Sequence, residues 1–148
     1  MAARQVKEVL DAVRDVHRQL ADRYRELDEQ ATDERIKLLL KDMQQREEQF
    51  ESCVAQYKID HHDSVLNTWV RYLPDEVVHI DRLNDQLAEP RSLDELVEET
   101  IRLNGSLCNA YLSLAEQAHI PAMKELFQDL ANLEEQNDCH YAKVLLES

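Results

Sequence analysis

The sequence has 148 residues, and 31 Asp and Glu against 17 Lys and Arg give it a formal net charge of −14. A chain this acidic repels nucleic acid phosphates and anionic lipids, so we expect neither nucleic acid nor membrane as a partner. No apolar run approaches the roughly 18 residues that a membrane span needs, and the N-terminus lacks the apolar stretch of a signal peptide, so we expect a cytoplasmic protein.

Few glycines and prolines predict long helices. One Gly and three Pro leave little turn chemistry, and 43% hydrophobic residues suffice for a single domain over residues 1–148. Apolar residues recur at helical spacing over 4–29 and again over 36–57, and Thr32 is placed to cap the second helix. We therefore predict a first helical hairpin over residues 4–57. Its inward residues are Val6, Val9, Val13, Val16, Leu20, Tyr24, Leu27, Ile36, Leu39, Leu40, Met43, Phe50, Val54 and Tyr57.

Residues 58–91 form a crossover that is too long for a simple turn. The stretches SVLNTWVRYL and DEVVHIDRLNDQL each have an amphipathic pattern, and Pro74 separates them, so we predict two short helices. Two interpretations of the most apolar part of the crossover stay open: it covers one end or side of the long helices, or it forms a dimer contact. This part comprises Trp69, Val70, Tyr72 and Leu73.

A second hairpin is predicted over residues 92–147. Ser92 and Glu95 have the S-x-x-E spacing of a capping box, which marks the start of a helix after Pro90. Pro121 stands where a first-turn proline would open the next helix. Two hairpins joined by one long crossover are typical of a four-helix bundle. The inward residues of this hairpin are Leu96, Thr100, Leu103, Leu107, Tyr111, Leu114, Met123, Leu126, Phe127, Leu130, Leu133, Tyr141 and Val144.

The two hairpins align with each other. When the chain is shifted by 87 residues without gaps, residues 6–57 fall on 93–144, and fourteen of those 52 positions are identical. The identities include the Glu-Glu-Gln triplets at 47–49 and 134–136. A gapless register through two helices and their turn indicates an internal duplication.

The first glutamate of each triplet falls on an inner helix face. At about 100° per residue, Glu47 lies within the apolar arc of its helix, whereas Glu48 and Gln49 point away from it. The same spacing places Glu134 on the inner face of the last helix, with Asn137 at the centre of that face. Burying a carboxylate without compensation costs several kcal/mol, so a proton, a histidinium, an amide or a metal ion must satisfy both acids.

The other two predicted long helices also carry a polar residue in their apolar stripes. His17 lies between Val16 and Leu10 on the first helix, and Asn104 lies within the stripe of the third. With Glu47 and Glu134, we expect these residues to converge midway along a shared interior. Every helix would then contribute one polar side chain.

These patterns resemble those of the ferritin-like superfamily, and more narrowly of rubrerythrin-like proteins. In that family the first and third helices carry a Glu seven residues before a Tyr, and the second and fourth carry E-x-x-H. Here HRQLADRY places His17 seven residues before Tyr24, and NGSLCNAY places Asn104 seven before Tyr111. MKELFQDLANLEEQN is similar to the phrase leading into the family's fourth-helix motif. The resemblance implies an all-α fold, an up-down four-helix bundle (ferritin-like) made of two duplicated hairpins.

The departures from the family pattern concern its metal ligands. By the same register, His17 and Asn104 replace two glutamates, and Phe50 and Asn137 replace both E-x-x-H histidines. A dinuclear iron centre needs more donors than remain, so we expect no cofactor and no redox chemistry. The alternative is a single divalent metal ion. Its candidate ligands are His17, Glu47 and Glu134, with Asn104 or Asn137.

The functional prediction follows from these missing ligands. We expect a non-enzymatic structural or protein-interaction module, either a homodimer or bound to another protein. The alternative is a metal-binding relative (Fe, Mn or Zn) with a reduced ligand set, an oxidoreductase or a metal-storage protein.

Other titratable residues have simpler interpretations. Glu76 and His79 form an E-x-x-H in the crossover, near HHD at 61–63, and are read as exposed polar positions or as a zinc or nickel site. Three cysteines without CxxC spacing predict small apolar helix residues rather than disulfides or a zinc knuckle. His119 is expected in solvent, and His140 is a poor partner for a ligand pair with Cys139.

Overall fold

The computed structural model describes residues 4–60, 63–72, 74–75 and 92–147. In this part of the chain helices dominate, which confirms the predicted all-α class, and the only strands are two residues long. The elements in chain order are β1 (Arg4–Gln5), α1 (Val6–Gln30), α2 (Glu34–Asp60), α3 (Asp63–Leu66), β2 (Trp69–Val70), α4 (Leu93–Glu116) and α5 (Pro121–Glu147).

The first hairpin joins α1 to α2 through a short turn. The predicted cap at Thr32 is wrong by one residue: the Asp33 carboxylate accepts hydrogen bonds from the backbone N–H groups of Arg35, at 2.8 Å, and Ile36, at 3.5 Å. The positive end of the helix dipole also stabilises the negative charge of an Asp at this position. Lys37 reaches back across the turn to the Asp28 carbonyl oxygen at 2.7 Å, which ties the ends of the two helices together.

Both predicted starts in the second hairpin are confirmed. Ser92 is the N-cap of α4, and its hydroxyl accepts a hydrogen bond from the Glu95 N–H at 3.4 Å. Pro121 is the first residue of α5, where its missing N–H costs no helical hydrogen bond. The stacked rings of Tyr111 and Phe127 place α4 beside α5.

The crossover differs from its prediction. Residues 64–73 are not one helix, because α3 ends at Leu66 and Trp69–Val70 pairs antiparallel with Arg4–Gln5. This pairing also explains why α1 begins at Val6 rather than at residue 4, since the two preceding residues are extended in the ladder. The predicted helix over 75–87 lies outside the described residues except for Asp75.

The four long helices share one apolar core. Contacts between α1 and α5 advance in the same direction along both helices, from His17 beside Glu134 to Tyr24 beside Tyr141. None of the helices in the described ranges is long and apolar enough to cross a membrane. The largest fully buried side chains are Tyr24, Tyr111, Tyr141, Phe127, Leu10, Leu20, Leu40, Met43, Leu96, Leu107 and Leu114.

Candidate functional site

The candidate site is a histidine held between two glutamates in the middle of the core. Nδ1 of His17, on α1, bonds to Oε2 of Glu47, on α2. Nε2 of the same ring lies 2.8 Å from Oε1 of Glu134, on α5. All three side chains are 0% exposed. One ring therefore links three helices, and we call these residues the His17 triad.

Two tyrosine hydroxyls complete the hydrogen bonding of the His17 triad. Tyr141 donates to Oε1 of Glu47 at 2.7 Å, and Tyr111 donates to Oε1 of Glu134 at 3.1 Å. Burial raises the pKa of both phenols, and the neighbouring carboxylates raise it further, so each hydroxyl keeps its proton and acts as a donor. The result is a hydrogen-bonded chain from Tyr141 through Glu47, His17 and Glu134 to Tyr111.

The geometry favours a positively charged His17. A neutral imidazole has one N–H donor and one acceptor nitrogen, whereas an imidazolium donates from both. Each ring nitrogen of His17 faces a carboxylate oxygen. Burial alone would lower the pKa of His17, but the charges of Glu134 and Glu47 and the hydrogen bonds to them outweigh burial and raise it to about 10. The site is thus a buried cation between two acids.

Phe50 closes one face of the histidine ring. The Phe50 and His17 rings stack with centroids 3.8 Å apart and an interplanar angle of 22°. In the register of the E-x-x-H pattern, Phe50 stands where a histidine ligand would be. Its aromatic face attracts a cationic ring, and this contact stabilises the protonated form of His17.

Asn104 is buried on α4 but makes no hydrogen bond to either acid. Within the described ranges, neither polar atom of its side chain has a hydrogen-bond partner, and neither does Oε2 of Glu134 or Oδ1 of Asp138. Burial raises the pKa of Asp138 to about 6, against an opposing effect of the nearby Asn104 amide. His17 and the two phenols, rather than an amide, therefore make the hydrogen bonds that Glu47 and Glu134 receive.

The sequence placed His17, Glu47, Asn104 and Glu134 in the interior, and all four are buried there. Asn137, expected at the centre of its helix face, is only half-buried. The roles of Tyr111 and Tyr141 were missed, although both were assigned to inner faces. Tyr141 lies seven residues after Glu134, and this two-turn spacing on one helix face was a usable signal.

The remaining titratable candidates that the structure describes make no hydrogen bond to the His17 triad. His119 is exposed, as predicted, and His140 lies 2.5 Å from Asp42. Cys53 and Cys139 are exposed rather than packed as apolar residues, and Cys108 is half-buried. Glu76, His79 and the histidines of HHD lie outside the described residues.

A metal centre of the family type does not fit these side chains. The resemblance implies a dinuclear iron site. Both ring nitrogens of His17, however, are hydrogen-bonded to Glu47 and Glu134, the two acids that would bind the iron. Phe50 and Asn137 stand in place of the two histidines. Among the residues that the structure describes, no group of three or more His, Cys, Asp and Glu side chains is arranged to hold a metal ion.

A second feature is an aromatic surface at the end of the molecule where α1 begins. The side-chain amide of Gln117 accepts from the Tyr72 N–H at 3.0 Å and donates to the Tyr72 carbonyl at 2.7 Å. Together with the β1–β2 pairing, this fixes the backbone on both sides of residue 71. Trp69 is 61% exposed and Tyr72 is 73% exposed. We call Trp69 and Tyr72 the aromatic pair.

Comparison with known proteins finds no matching family model, no matching curated protein and no matching solved structure. Membership of the ferritin-like superfamily therefore stays a prediction from the sequence.

Proposed function

We propose that this chain is a non-enzymatic, ferritin-like helical bundle that acts as a structural or protein-interaction module and assembles as a homodimer. Its two hairpins would form an up-down four-helix bundle that arose by duplication. The parallel direction of α1 and α5 supports this topology, because a long crossover between two hairpins places their outer helices parallel.

The observation that carries the interaction role is the exposure of the aromatic pair on a fixed backbone. Aromatic side chains are enriched at the centres of protein interfaces because they bury a large area at a low cost in side-chain entropy. The two hydrogen bonds of Gln117 and the β1–β2 ladder remove much of the remaining ordering cost. A groove next to Trp69, also lined by Thr68, Arg71, His119 and Met123, has room for a partner side chain.

The partner we propose is a second copy of this chain, and its binding should depend on salt in a characteristic way. Two copies each carry a formal charge of −14, so they repel each other at low ionic strength. An aromatic contact must overcome that repulsion, and added salt should strengthen it. A contact made of ion pairs would instead weaken with salt.

Sedimentation velocity over a range of protein and salt concentrations tests this proposal. We expect a dimer that becomes tighter from low to physiological salt and that is weakened at least tenfold in Trp69→Ala and Tyr72→Ala. Leu38→Ala and Leu146→Ala are matched controls, because both leucines are exposed on long helices, near the start of α2 and the end of α5, away from Gln117, which holds Tyr72. A monomer at every concentration and salt, or equal effects in all four variants, would contradict it.

The second candidate is a metal-binding protein with a reduced ligand set. One observation favours it: Oε2 of Glu134 and the amide oxygen of Asn104 are buried without a partner among the described residues. Elemental analysis of protein produced with iron, manganese and zinc tests it. Near-stoichiometric metal that disappears in Glu134→Gln would support this candidate over the first.

A further inference from the structure

The place between the two buried carboxylates is filled by a protein side chain. The His17 ring spans from Oε2 of Glu47 to Oε1 of Glu134, with Phe50 stacked on one face. A metal ion bridging these oxygens would need the same space. It would also need an imidazole nitrogen with a free lone pair, and each nitrogen is directed at an acid instead.

The charges lead to the same inference. Two carboxylates without exposed area are costly unless a cation accompanies them. The two phenols donate hydrogen bonds but bring no positive charge. Of the described residues that contact both acids, His17 is the one that can supply it. A divalent ion added beside it would meet a like charge at close range.

We propose that His17 is the built-in cation of this core and that it excludes divalent metal ions from the position between Glu47 and Glu134. This inference is independent of the proposed dimer, because it concerns the interior rather than the aromatic pair. It also predicts what happens when the ring is removed: the two carboxylates keep their demand for a cation, and a divalent ion can then meet it.

Metal titration of matched variants tests the proposal. Purified apo protein is titrated with Mn²⁺ and with Zn²⁺, using calorimetry and the thermal unfolding midpoint as readouts. We expect the wild-type midpoint to stay unchanged. We expect His17→Glu, with three buried carboxylates, to unfold at low temperature without metal and to be restored by near-stoichiometric Mn²⁺ or Zn²⁺. His119→Glu is the control, since that residue is exposed.

Each outcome decides. Metal-dependent stabilisation of His17→Glu, abolished when Glu134→Gln is added, supports the proposal. A response of His17→Glu no larger than that of His119→Glu overturns it. Near-stoichiometric binding by the wild type that is lost in Glu47→Gln also overturns it. His17→Ala, which leaves space between the acids without a third charge, provides a second variant: gain of metal binding supports the proposal, and its absence contradicts it.

Discussion

Glu47 and Glu134 occupy equivalent positions in the two aligned hairpins but have different surroundings. Both oxygens of Glu47 are bonded, one to His17 and one to Tyr141. Glu134 receives both of its hydrogen bonds on Oε1, and its Oε2 has no partner in the described part of the chain. The same residue at the same helix position is therefore fully satisfied in one hairpin and half satisfied in the other.

The difference arises from two positions of the alignment. His17 of the first hairpin is matched by Asn104, which is too short and uncharged to replace a bridging imidazolium. Val54 is matched by Tyr141, and only the tyrosine brings a hydroxyl to Glu47. Each hairpin thus donates to the glutamate of the other, through His17 to Glu134 and through Tyr141 to Glu47, but only Glu47 has both of its oxygens bonded within the described residues. Four predictions follow the asymmetry, ordered by expected effect.

Removing the carboxylate of Glu47 should have the largest effect. Glu47→Ala leaves the His17 cation and the Tyr141 hydroxyl without their partner, and breaking a buried ion pair from one side costs about 3–5 kcal/mol. Urea unfolding at pH 7 measures the loss. Glu48→Ala, on the exposed neighbour, should change the free energy of unfolding by no more than about 0.5 kcal/mol. Equal losses in the two variants would contradict a buried Glu47.

The pH dependence of stability tests the charge on His17. Its folded pKa is raised from 6.5 to about 10, so the native state holds a proton that the unfolded state releases above pH 6.5. The stability from this group is fully present below pH 6.5 and is lost as pH rises through about 10. Urea unfolding at pH 6, 8 and 9.5 should show this decline in the wild type. His17→Gln should flatten it, and an equally steep decline in that variant would argue against a charged His17.

The two phenols should contribute unequally. Tyr141→Phe leaves Oε1 of Glu47 without a donor, and an unsatisfied buried acceptor costs about 1–3 kcal/mol. Tyr111→Phe should cost less, because Oε1 of Glu134 keeps its bond to His17. Guanidinium unfolding of both variants at pH 7 gives the comparison. A larger loss for Tyr111→Phe would reverse the order expected from the structure.

Asn104 should contribute least of the buried polar residues. Its polar atoms make no close hydrogen bond among the residues described, and its amide acts only on the raised pKa of Asp138, so replacing it by an apolar group of similar shape is close to neutral. We expect Asn104→Leu to change the free energy of unfolding by less than about 1 kcal/mol. Thermal unfolding at pH 7 measures it, and a loss as large as that of Glu47→Ala would show an unrecognised partner of Asn104.

Much of the fold could be predicted from the sequence because helical periodicity and caps are local signals. Ser92 and Pro121 marked helix starts correctly, since capping depends on a few neighbouring residues. Thr32 was assigned as a cap because Thr and the adjacent Asp33 are both good caps, and only the backbone decides between them. The strand at Trp69–Val70 could not be predicted, since its partner lies more than 60 residues away in the ladder with Arg4–Gln5.

The sequence predicted which polar residues lie inside the site but not which hydrogen bonds they make. Periodicity brought His17, Glu47, Asn104 and Glu134 to inner faces, and that requires only the helical repeat. Which acid each ring nitrogen meets depends on the rotation and height of three separate helices. The phenol of Tyr141 was therefore assigned to the apolar stripe, and its donor role emerged only from the packing of α5 against α2.

Nitrogen NMR of the histidine ring tests the account most directly. A long-range proton–nitrogen correlation spectrum, with His17 assigned by its loss in His17→Gln, reports the protonation of Nδ1 and Nε2 separately. The account predicts that both nitrogens of His17 carry a proton at pH 7.5. A single protonated nitrogen on His17 at that pH would contradict a buried cation shared by Glu47 and Glu134.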